Sequence, residues 1–318
     1  RDERADEKMA EVREATSEKV IVTGANGFLG SWLTKQLVND GYSVFALVRK
    51  NSDVSELKGI SCEYIYGDVT DKNSLVQAFK GMDTVFHLAG LISYRSRDRL
   101  KMEEVNVGGT QNVVDTVAEL GIRRLVHLSS VVAVGAGFNQ KQILNENSPY
   151  NISHLNLGYF ETKHKAELIV KEATLAKRIN SVILNPSTIY GPGDARKGSR
   201  GVQLKVARGR FSFYTSGGVN VVAVEDVVKG IISAWKTGRA GERYILSGEN
   251  LLIKDLFSMI AAEAKQKAPP YLLPNRLLFF LGFIGDIANK LGYSTSLSRE
   301  QAYVSTLYHL FSSEKAQR

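Results

Sequence analysis

Short apolar runs rich in β-branched residues alternate with longer segments of helical spacing from residue 20 onward. The apolar runs predict six strands, at 20–23, 44–48, 62–66, 84–88, 125–128 and 181–184. The segments between them predict helices at 28–39, 74–79, 106–120 and 159–177. Strands separated by helices are typical of βαβ units with a parallel sheet, and continuous apolar strands indicate a sheet covered on both faces. The predicted fold is α/β, a Rossmann fold with a doubly wound parallel sheet.

The pattern changes after residue 190. Two stretches rich in glycine and charge precede a predicted strand, helix and strand, at 219–224, 227–235 and 244–246. Residues 251–311 have mostly helical spacing. The domains we infer are a charged N-terminal extension (1–19), a Rossmann domain (20–190, with 219–247 returning to it) and a smaller, interleaved substrate-binding region (191–218 and 248–318).

The composition is that of an ordinary globular protein, 43% hydrophobic and 23% charged. A net charge of +8 would suit a nucleic acid or an anionic membrane as partner, but the basic residues are dispersed and no recognisable nucleic-acid module is present. We therefore expect no nucleic-acid partner. A solvated basic surface and a phosphate-rich ligand are sufficient to explain the charge.

The single cysteine, Cys62, excludes an internal disulfide and provides too few thiols for a metal cluster, so no metal site is expected. It lies in an apolar run and is interpreted as a small buried hydrophobic residue in a protein of the reducing cytoplasm. Residues 1–19 carry seven acidic and five basic side chains and show no secretory signal. The most apolar window, 277–287, is too short and too interrupted to span a bilayer.

A glycine-rich turn follows the first predicted strand directly and opens the first helix. Glycines at this junction let a backbone approach a pyrophosphate closely, and the helix N-terminus supplies oriented N–H donors. The spacing is GxxGxxG, and a merely tight turn is the competing interpretation. The residues predicted to bind a dinucleotide here are Gly24, Asn26, Gly27, Phe28, Leu29 and Gly30.

The end of the second predicted strand distinguishes the two nicotinamide cofactors. NAD enzymes place an acidic residue there for the ribose 2′-hydroxyl, whereas an arginine accommodates the 2′-phosphate of NADP. Arg49 follows Val48, and the first acidic residue after it is Asp53. The sequence therefore favours NADP(H), with a solvated surface arginine as the alternative.

Four further residues lie at the ends of two strands that border the predicted cofactor cleft. Asp68 and Val69 follow the third strand, where the carboxylate of Asp68 could meet the adenine edge or cap a helix or turn. Leu88 and Ala89 follow the fourth strand and are predicted to pass beneath the cofactor, where small residues leave room.

A Tyr-x-x-x-Lys motif, Tyr159 and Lys163, occurs once in the chain. On a helix these side chains share one face, so the ammonium could stabilise a tyrosinate and reach a ribose hydroxyl. The bare motif is expected about once by chance and needs its context. Ser130 closes the fifth predicted strand, where its hydroxyl could orient a carbonyl for hydride attack, with Tyr159 as proton donor. Ser129 is the alternative position, and helix or turn capping is the alternative role.

The chain resembles the extended short-chain dehydrogenase/reductase superfamily, also called the NAD-dependent epimerase/dehydratase superfamily, from residue 20 to about 316. The resemblance lies in an ordered series of motifs: TGANGFLG (23–30), HLAG (87–90), NVGGT (106–110), SS (129–130), YxxxKxxAE (159–167), NPxxIYGPG (185–193) and VEDV (224–227). GSWL (30–33), GYSV (41–44), VR (48–49) and YF (159–160) resemble the dihydroflavonol reductase-like branch.

The resemblance implies an NADPH-dependent oxidoreductase acting on a small-molecule carbonyl or alcohol substrate. Ser130, Tyr159 and Lys163 then take the catalytic positions, and Pro186 and Ser187 lie by the nicotinamide carboxamide. A homodimer is common in the family. Aromatic residues predicted to line the pocket, with 277–283 over its mouth, are Tyr94, Phe211, Phe213 and Tyr214.

Two other functions remain open. A nucleotide-sugar epimerase or dehydratase usually carries an arginine in the segment that reads GGVNVV here (217–222), and its absence counts against a nucleotide sugar. The histidine often found before the acidic pair is replaced by Ala223. A non-catalytic NADP-sensing or scaffold protein would need neither Ser130 nor Tyr159.

Overall fold

The computed structural model describes residues 18–194, 200–293, 295 and 297–318. Its strands are β1 (Lys19–Thr23), β2 (Ser43–Val48), β3 (Glu63–Tyr66), β4 (Thr84–His87), β5 (Arg124–Leu128), β6 (Ser181–Pro186), β7 (Thr188–Tyr190), β8 (Phe213–Tyr214), β9 (Gly218–Ala223), β10 (Arg243–Leu246), β11 (Glu249–Leu252), β12 (Tyr271–Leu272) and β13 (Tyr308–His309). Its α-helices are α1 (Phe28–Asn39), α2 (Lys72–Phe79), α3 (Arg99–Met102), α4 (Gly109–Leu120), α5 (Gly158–Leu175), α6 (Gly201–Ala207), α7 (Val224–Thr237), α8 (Ile253–Glu263), α9 (Asn275–Lys290), α10 (Arg299–Val304) and α11 (Glu314–Gln317).

Seven strands form one parallel sheet in the order β10-β6-β5-β4-β1-β2-β3. The strand order reverses at β1, beside β4, and ligands of doubly wound sheets bind at such a switch point, outside the carboxyl ends of the strands. The predicted Rossmann fold is confirmed. Thr23 and His87 end the two strands at the switch point and are paired in register.

Helices cover both faces of this sheet, which explains why its strands read as continuous apolar runs. On one face Leu33 of α1 and Trp235 of α7 belong to one buried apolar cluster with the strands. On the other face Phe79, Val113 and Val170 bring α2, α4 and α5 into a second cluster. Every residue of β6 is buried.

A second, four-stranded sheet consists of β7, β9, β11 and β13, and it contains a strand that the sequence assigned to the Rossmann domain. β9 pairs with β11, β13 and β7, so the predicted strand at 219–224 exists but does not join the Rossmann sheet. Within the predicted return of 219–247, α7 and β10 belong to the main sheet layer, whereas β9 lies in the second sheet and contributes Val222 to the apolar cluster of the main one. The mostly helical 251–311 also contains parts of β11, β12 and β13, because strands this short leave too few positions to show a period. The division into domains otherwise stays an interpretation.

Two element boundaries have a visible local cause. The helix predicted at 106–120 begins with a π-helical turn, Glu103–Gly108, before α4. The predicted helix at 74–79 starts two residues earlier, because the Asp71 carboxylate accepts hydrogen bonds from the Asn73 and Ser74 amides.

In the described part of the chain, no helix combines the length and apolarity needed to cross a membrane.

Candidate active site

The glycine-rich turn between β1 and α1 is built around close backbone contacts. Gly24 has φ +70°, and a Cβ on it would lie 2.8 Å from the Ala89 nitrogen. A Cβ on Gly30 would lie 2.1 Å from the Gly24 oxygen, so the first turn of α1 packs directly on the loop. The first turn of α1 carries no acidic side chain. These features fit a pyrophosphate at the N-terminus of α1.

Asn26 lies in this turn, and Arg49 and Asp68 are the positions predicted to recognise the adenosine half. Asn26 donates its amide to the Asp53 carbonyl at 2.8 Å, which ties the turn to the segment after β2. Arg49 is the exposed residue directly after β2. The Asp68 Oδ1 atom accepts from the backbone and hydroxyl of Thr70, both at 2.9 Å, so the turn-capping role predicted as an alternative is present.

Val69, Leu88 and Ala89 lie at the floor of the same cleft. Val69 is buried against the start of α4, where a Cβ on Gly109 would come within 2.9 Å of its side chain. The amides of Leu88 and Ala89 both donate to the Thr23 hydroxyl at 3.1 Å. The chain after β4 is thereby held against the end of β1.

His87 connects the end of β1 to α4 through buried hydrogen bonds. Its Nδ1 lies 2.8 Å from the Thr23 hydroxyl and its Nε2 lies 3.1 Å from the Thr110 hydroxyl. Because the Thr110 hydroxyl donates to the Asn106 carbonyl at 2.6 Å, it must accept from Nε2–H. The neutral imidazole therefore carries its proton on Nε2 and accepts from Thr23.

Asn106, in the π-helical turn, continues the connection and was given no role by sequence reasoning. Its amide donates to the Leu91 carbonyl at 2.9 Å and to the Thr162 hydroxyl at 3.0 Å. Its carbonyl oxygen accepts from the Leu91 backbone at 2.7 Å. Thr162 in turn donates to the Tyr159 carbonyl, so Asn106 fixes the first turn of α5. π-Helical turns are frequent at functional sites.

Tyr159 lies in the first turn of α5, with its phenol beside the Ser130 side chain. Only 8% of Tyr159 is exposed, and burial raises the pKa of its phenol above the usual 10, although the Ser130 side chain opposes that rise. The tyrosine therefore stays protonated at neutral pH. Tyr94 packs edge-on against it, with ring centroids 6.2 Å apart.

Lys163 lies one turn further along α5, buried beneath Tyr159. Its ammonium donates to the Leu128 carbonyl at 2.8 Å, which anchors α5 to the carboxyl end of β5. Burial lowers the pKa of Lys163 to about 8, and the Glu167 carboxylate opposes that fall. The lysine is thus held as a cation near neutral pH by a balance of two opposing effects.

The two adjacent serines at the end of β5 have different roles. The Ser129 hydroxyl donates to the Glu167 Oε2 atom at 2.6 Å and is buried away from Tyr159. The Ser130 oxygen accepts from the Val132 backbone at 3.4 Å and also lies beside the Tyr159 phenol, so it both caps a short turn and faces the site. Of the two positions left open by the sequence, Ser130 is the one that meets the tyrosine.

Glu167 is a buried carboxylate that ends the YxxxKxxAE motif but was given no role by sequence reasoning. Its Oε2 atom also accepts from the Asn185 amide at 2.7 Å, and its Oε1 atom lies 3.0 Å from the Arg243 guanidinium. Asn185 additionally donates to the Ser130 carbonyl at 2.9 Å. Glu167 therefore joins α5, β5, β6 and β10 next to the residues predicted to be catalytic.

Pro186 and Ser187 follow at the carboxyl end of β6. Ser187 is buried, its amide donates to the Leu246 carbonyl at 3.0 Å, and its hydroxyl donates to the Asn220 side chain at 2.6 Å. Ser187 thus joins the Rossmann sheet to β9. Of the four aromatic residues predicted to line the pocket, Tyr94 contacts the site, whereas Phe211 packs on Phe257 in a separate core.

Residues 20–247 match the NAD dependent epimerase/dehydratase family. The chain belongs to this family. The motifs and the fold place it in the extended short-chain dehydrogenase/reductase superfamily, with relatives of the dihydroflavonol reductase-like branch. It is accordingly an enzyme of the oxidoreductase and epimerase/dehydratase superfamily with a pyridine nucleotide cofactor.

Two curated relatives cover most of the chain. The Sterol demethylase protein B of Methylococcus capsulatus is 33% identical over 84% of this chain and 80% of its own length. A putative dihydroflavonol 4-reductase of Synechocystis is 31% identical over 95% of this chain and 89% of its own length.

Solved structures share the fold. The crystal structure of gox2253 has a TM-score of 0.82 and 32% identity, covering 95% of this chain and 92% of that one. A UDP-glucose 4-epimerase of Thermus thermophilus in complex with NAD has a TM-score of 0.74 at 20% identity, covering 94% of this chain and 92% of its own, which shows the fold alone.

Three buried histidines should make the protein sensitive to acid. Burial lowers the pKa of His87 to about 3 and of His309 to about 4, and it also lowers the pKa of His127, whose ring nitrogens have no partner among the described residues. The unfolded chain binds these protons near pH 6.5, whereas the folded protein does not. Stability is therefore complete above pH 6.5 and falls as the pH drops toward 4, by up to about 1.4 kcal/mol per pH unit for each histidine.

Thermal unfolding between pH 7 and pH 5 measures this effect. His127→Leu removes one buried titrating group that lacks a protein partner, so the loss of stability with acid should become shallower. His154→Gln, at an exposed position, is the matched control and should leave the slope unchanged. An identical slope in the intact protein and the His127 variant would contradict the assignment.

Proposed function

We propose that the protein is an NADPH-dependent carbonyl reductase and alcohol dehydrogenase of the dihydroflavonol reductase-like type. The observation that carries the proposal is the Ser130 side chain beside the buried phenol of Tyr159, with Lys163 one turn further along α5, at the carboxyl end of the sheet beside the glycine-rich turn. A bound nicotinamide cofactor would supply the hydride for the substrate carbon. Tyr159 then donates its phenolic proton to the carbonyl oxygen, giving the alcohol.

Each residue of the trio has one physical task. Ser130 donates a hydrogen bond that orients the carbonyl oxygen toward Tyr159. Tyr159 is buried and protonated, which is the form that a general acid requires. Lys163 places a positive charge near the phenol, where it stabilises the tyrosinate left after proton transfer, and it anchors the cofactor ribose.

Assays with a panel of ketones and aldehydes, monitored by NADPH absorbance, test this function. We expect substrate-dependent consumption of NADPH. Turnover of a UDP- or dTDP-sugar without net NADPH consumption would instead favour the epimerase or dehydratase function. Cofactor binding without turnover of either substrate class would favour a sensing or scaffold role.

We further propose that Arg49 selects NADP(H). It is exposed directly after β2, where the 2′-phosphate of a dinucleotide bound at the glycine-rich turn would lie, and the residue beside it is Lys50. A charge-assisted bond to a phosphate contributes about 1.5–3 kcal/mol, so NADPH should bind at least tenfold more tightly than NADH.

Arg49→Ala should remove most of that preference while leaving the affinity for NADH nearly unchanged. Lys80→Ala, an exposed cation after α2, is the control and should retain the preference. Titrations of intrinsic fluorescence with each cofactor give the dissociation constants. Equal affinities for NADPH and NADH in the intact protein would rule out this role of Arg49.

A further inference from the structure

Helix α9 is apolar on two opposite faces. One face packs against the segment that leads into α10: a Cβ on Gly282 would lie 3.0 Å from the Ser298 oxygen, and one on Gly285 would lie 2.1 Å from the Leu297 oxygen. Leu278 is buried on the same face. This face alone is sufficient to fix the helix on the protein.

The opposite face is an exposed apolar stripe. Its members recur every three or four residues, which places them along one side of the helix. Their exposed fractions range from 43% to 71%, although all are large apolar side chains. The stripe consists of Leu277, Phe280, Ile284, Ile287 and Leu291.

The surface beside the stripe extends the apolar area. Leu273 and Pro274 connect β12 to the start of α9. The two residues of β12, Tyr271 and Leu272, are 62% and 50% exposed. Contiguous exposed apolar surface of this kind marks an interaction site in proteins. Tyr271 has a ring contact with Phe213 of the neighbouring β8, and both side chains of β12 nevertheless stay largely exposed.

The charges around the stripe are positive. Arg276 and Lys290 lie in the first and last turns of α9, both exposed. The only acidic residue in α9, Asp286, is ion-paired with Arg299 at 2.9 Å, and its side chain is only 18% exposed. The chain as a whole carries a net charge of +8. The surface therefore combines an apolar stripe with cations at both ends of the helix, Arg276 and Lys290, for which the described residues show no ion pair.

We propose that the stripe docks the protein on the surface of an anionic lipid bilayer. Helix α9 then lies in the plane of the membrane, with its apolar side chains among the acyl chains and Arg276 and Lys290 at the anionic headgroups. A second copy of the chain fits this surface less well. A symmetric interface places a patch against itself, so Arg276 and Lys290 would face the same cationic patch, which offers no exposed acidic residue from α9.

The segment on which the buried face of α9 packs makes hydrogen bonds to residues next to Tyr159. The Ser298 hydroxyl donates to the Tyr94 carbonyl at 2.7 Å, and Tyr94 packs against Tyr159. The Glu300 carboxylate of α10 accepts from the Gly158 backbone at 3.2 Å, one residue before Tyr159. Docking through α9 would thus bring the catalytic end of α5 close to the membrane. The docking proposal stands independently of the reaction assigned to the site.

Sedimentation with vesicles of phosphatidylcholine, with and without phosphatidylserine, tests the proposal. The full chain with bound NADPH should bind the phosphatidylserine vesicles, and higher salt should weaken the binding. Phe280→Ser combined with Ile284→Ser should lower the affinity by about tenfold or more. Arg276→Glu combined with Lys290→Glu should lower it by a similar factor on phosphatidylserine vesicles alone.

A matched control uses two apolar residues on other elements, Ile143→Ser with Leu175→Ser, which are 57% and 70% exposed. This variant should bind vesicles like the intact protein. Phe280→Trp gives a second readout. The emission of the new tryptophan should shift to shorter wavelength when vesicles are added, whereas the emission of the two native tryptophans should not change. An unchanged thermal midpoint shows that each variant is folded.

Three results would overturn the proposal: no binding of the intact protein to phosphatidylserine vesicles, equal loss of binding in the control variant, or no emission shift of Phe280→Trp. A different result would identify a second copy of the chain as the occupant of the stripe. In that case the intact protein does not bind vesicles and is a dimer, and Phe280→Ser combined with Ile284→Ser converts it to a monomer.

Discussion

Tyr159→Phe should lower the turnover number for carbonyl reduction by about 100-fold or more, the scale expected for the loss of a general acid. The substitution removes one oxygen atom from a ring that is 8% exposed and packed edge-on against Tyr94. The packing should survive, so the dissociation constant for NADPH should change little. Steady-state kinetics and cofactor titration on the same preparation separate the two effects.

A tyrosine outside the site provides the matched control. The Tyr150 hydroxyl donates to Glu161 at 3.0 Å, and Tyr150→Phe should leave turnover nearly unchanged. Lys163→Ala should lower the turnover number and weaken cofactor binding, because the ammonium is proposed both to stabilise the tyrosinate and to anchor the cofactor ribose. If Tyr159→Phe reduced an accepted substrate at the original rate, α5 would be only a packing element and the proposed mechanism would fail.

The rates of carbonyl reduction and of alcohol oxidation should depend differently on pH. Burial raises the pKa of Tyr159 in the cofactor-free protein, so reduction, which needs the protonated phenol, should be sustained through neutral pH. Alcohol oxidation needs the tyrosinate and should increase as the pH rises. With the oxidised cofactor bound, its positive nicotinamide and Lys163 should bring the apparent pKa well below the usual 10.

The Rossmann half of the molecule could be predicted because its strands are buried on both faces. β6 is apolar along its centre and wholly buried, and Gly24 with Gly30 marks a turn that admits no side chain. The C-terminal region gave no such signal. β12 and β13 have two residues each and are defined by partners more than 50 residues away, β8 and β9, so their local pattern carries no period.

The site was predicted where its chemistry depends on neighbours along the chain or on one helix face. Tyr159 and Lys163 are one turn apart on α5, which the spacing shows directly. The sequence favoured Ser130 but left Ser129 open, because the choice depends on which hydroxyl contacts a carboxylate 38 residues away. His87 and Asn106 were present in the recognised motifs, but their hydrogen bonds join β4, α4 and α5 and exist only in the folded structure.

Glu167→Ala should destabilise the protein by about 3–5 kcal/mol, the cost of breaking a buried ion pair from one side. It would leave the Arg243 guanidinium, whose side chain is 22% exposed, without its carboxylate partner, and the Ser129 hydroxyl without its acceptor. Denaturant unfolding measures the loss. Glu172→Ala, an exposed position on the same helix, is the control and should change the free energy of unfolding by less than about 0.5 kcal/mol.

A second readout distinguishes the effect on Lys163 from simple destabilisation. The Glu167 carboxylate supports the pKa of Lys163 against the effect of burial, which already lowers it to about 8. Glu167→Gln keeps the size of the side chain and removes its charge, so the pKa of Lys163 should fall further and the alkaline limb of cofactor binding should move to lower pH. A destabilised variant with an unshifted pH profile would show that Glu167 only holds α5 to the sheet. A shifted profile would show that the buried carboxylate also keeps the lysine charged where the reaction needs it.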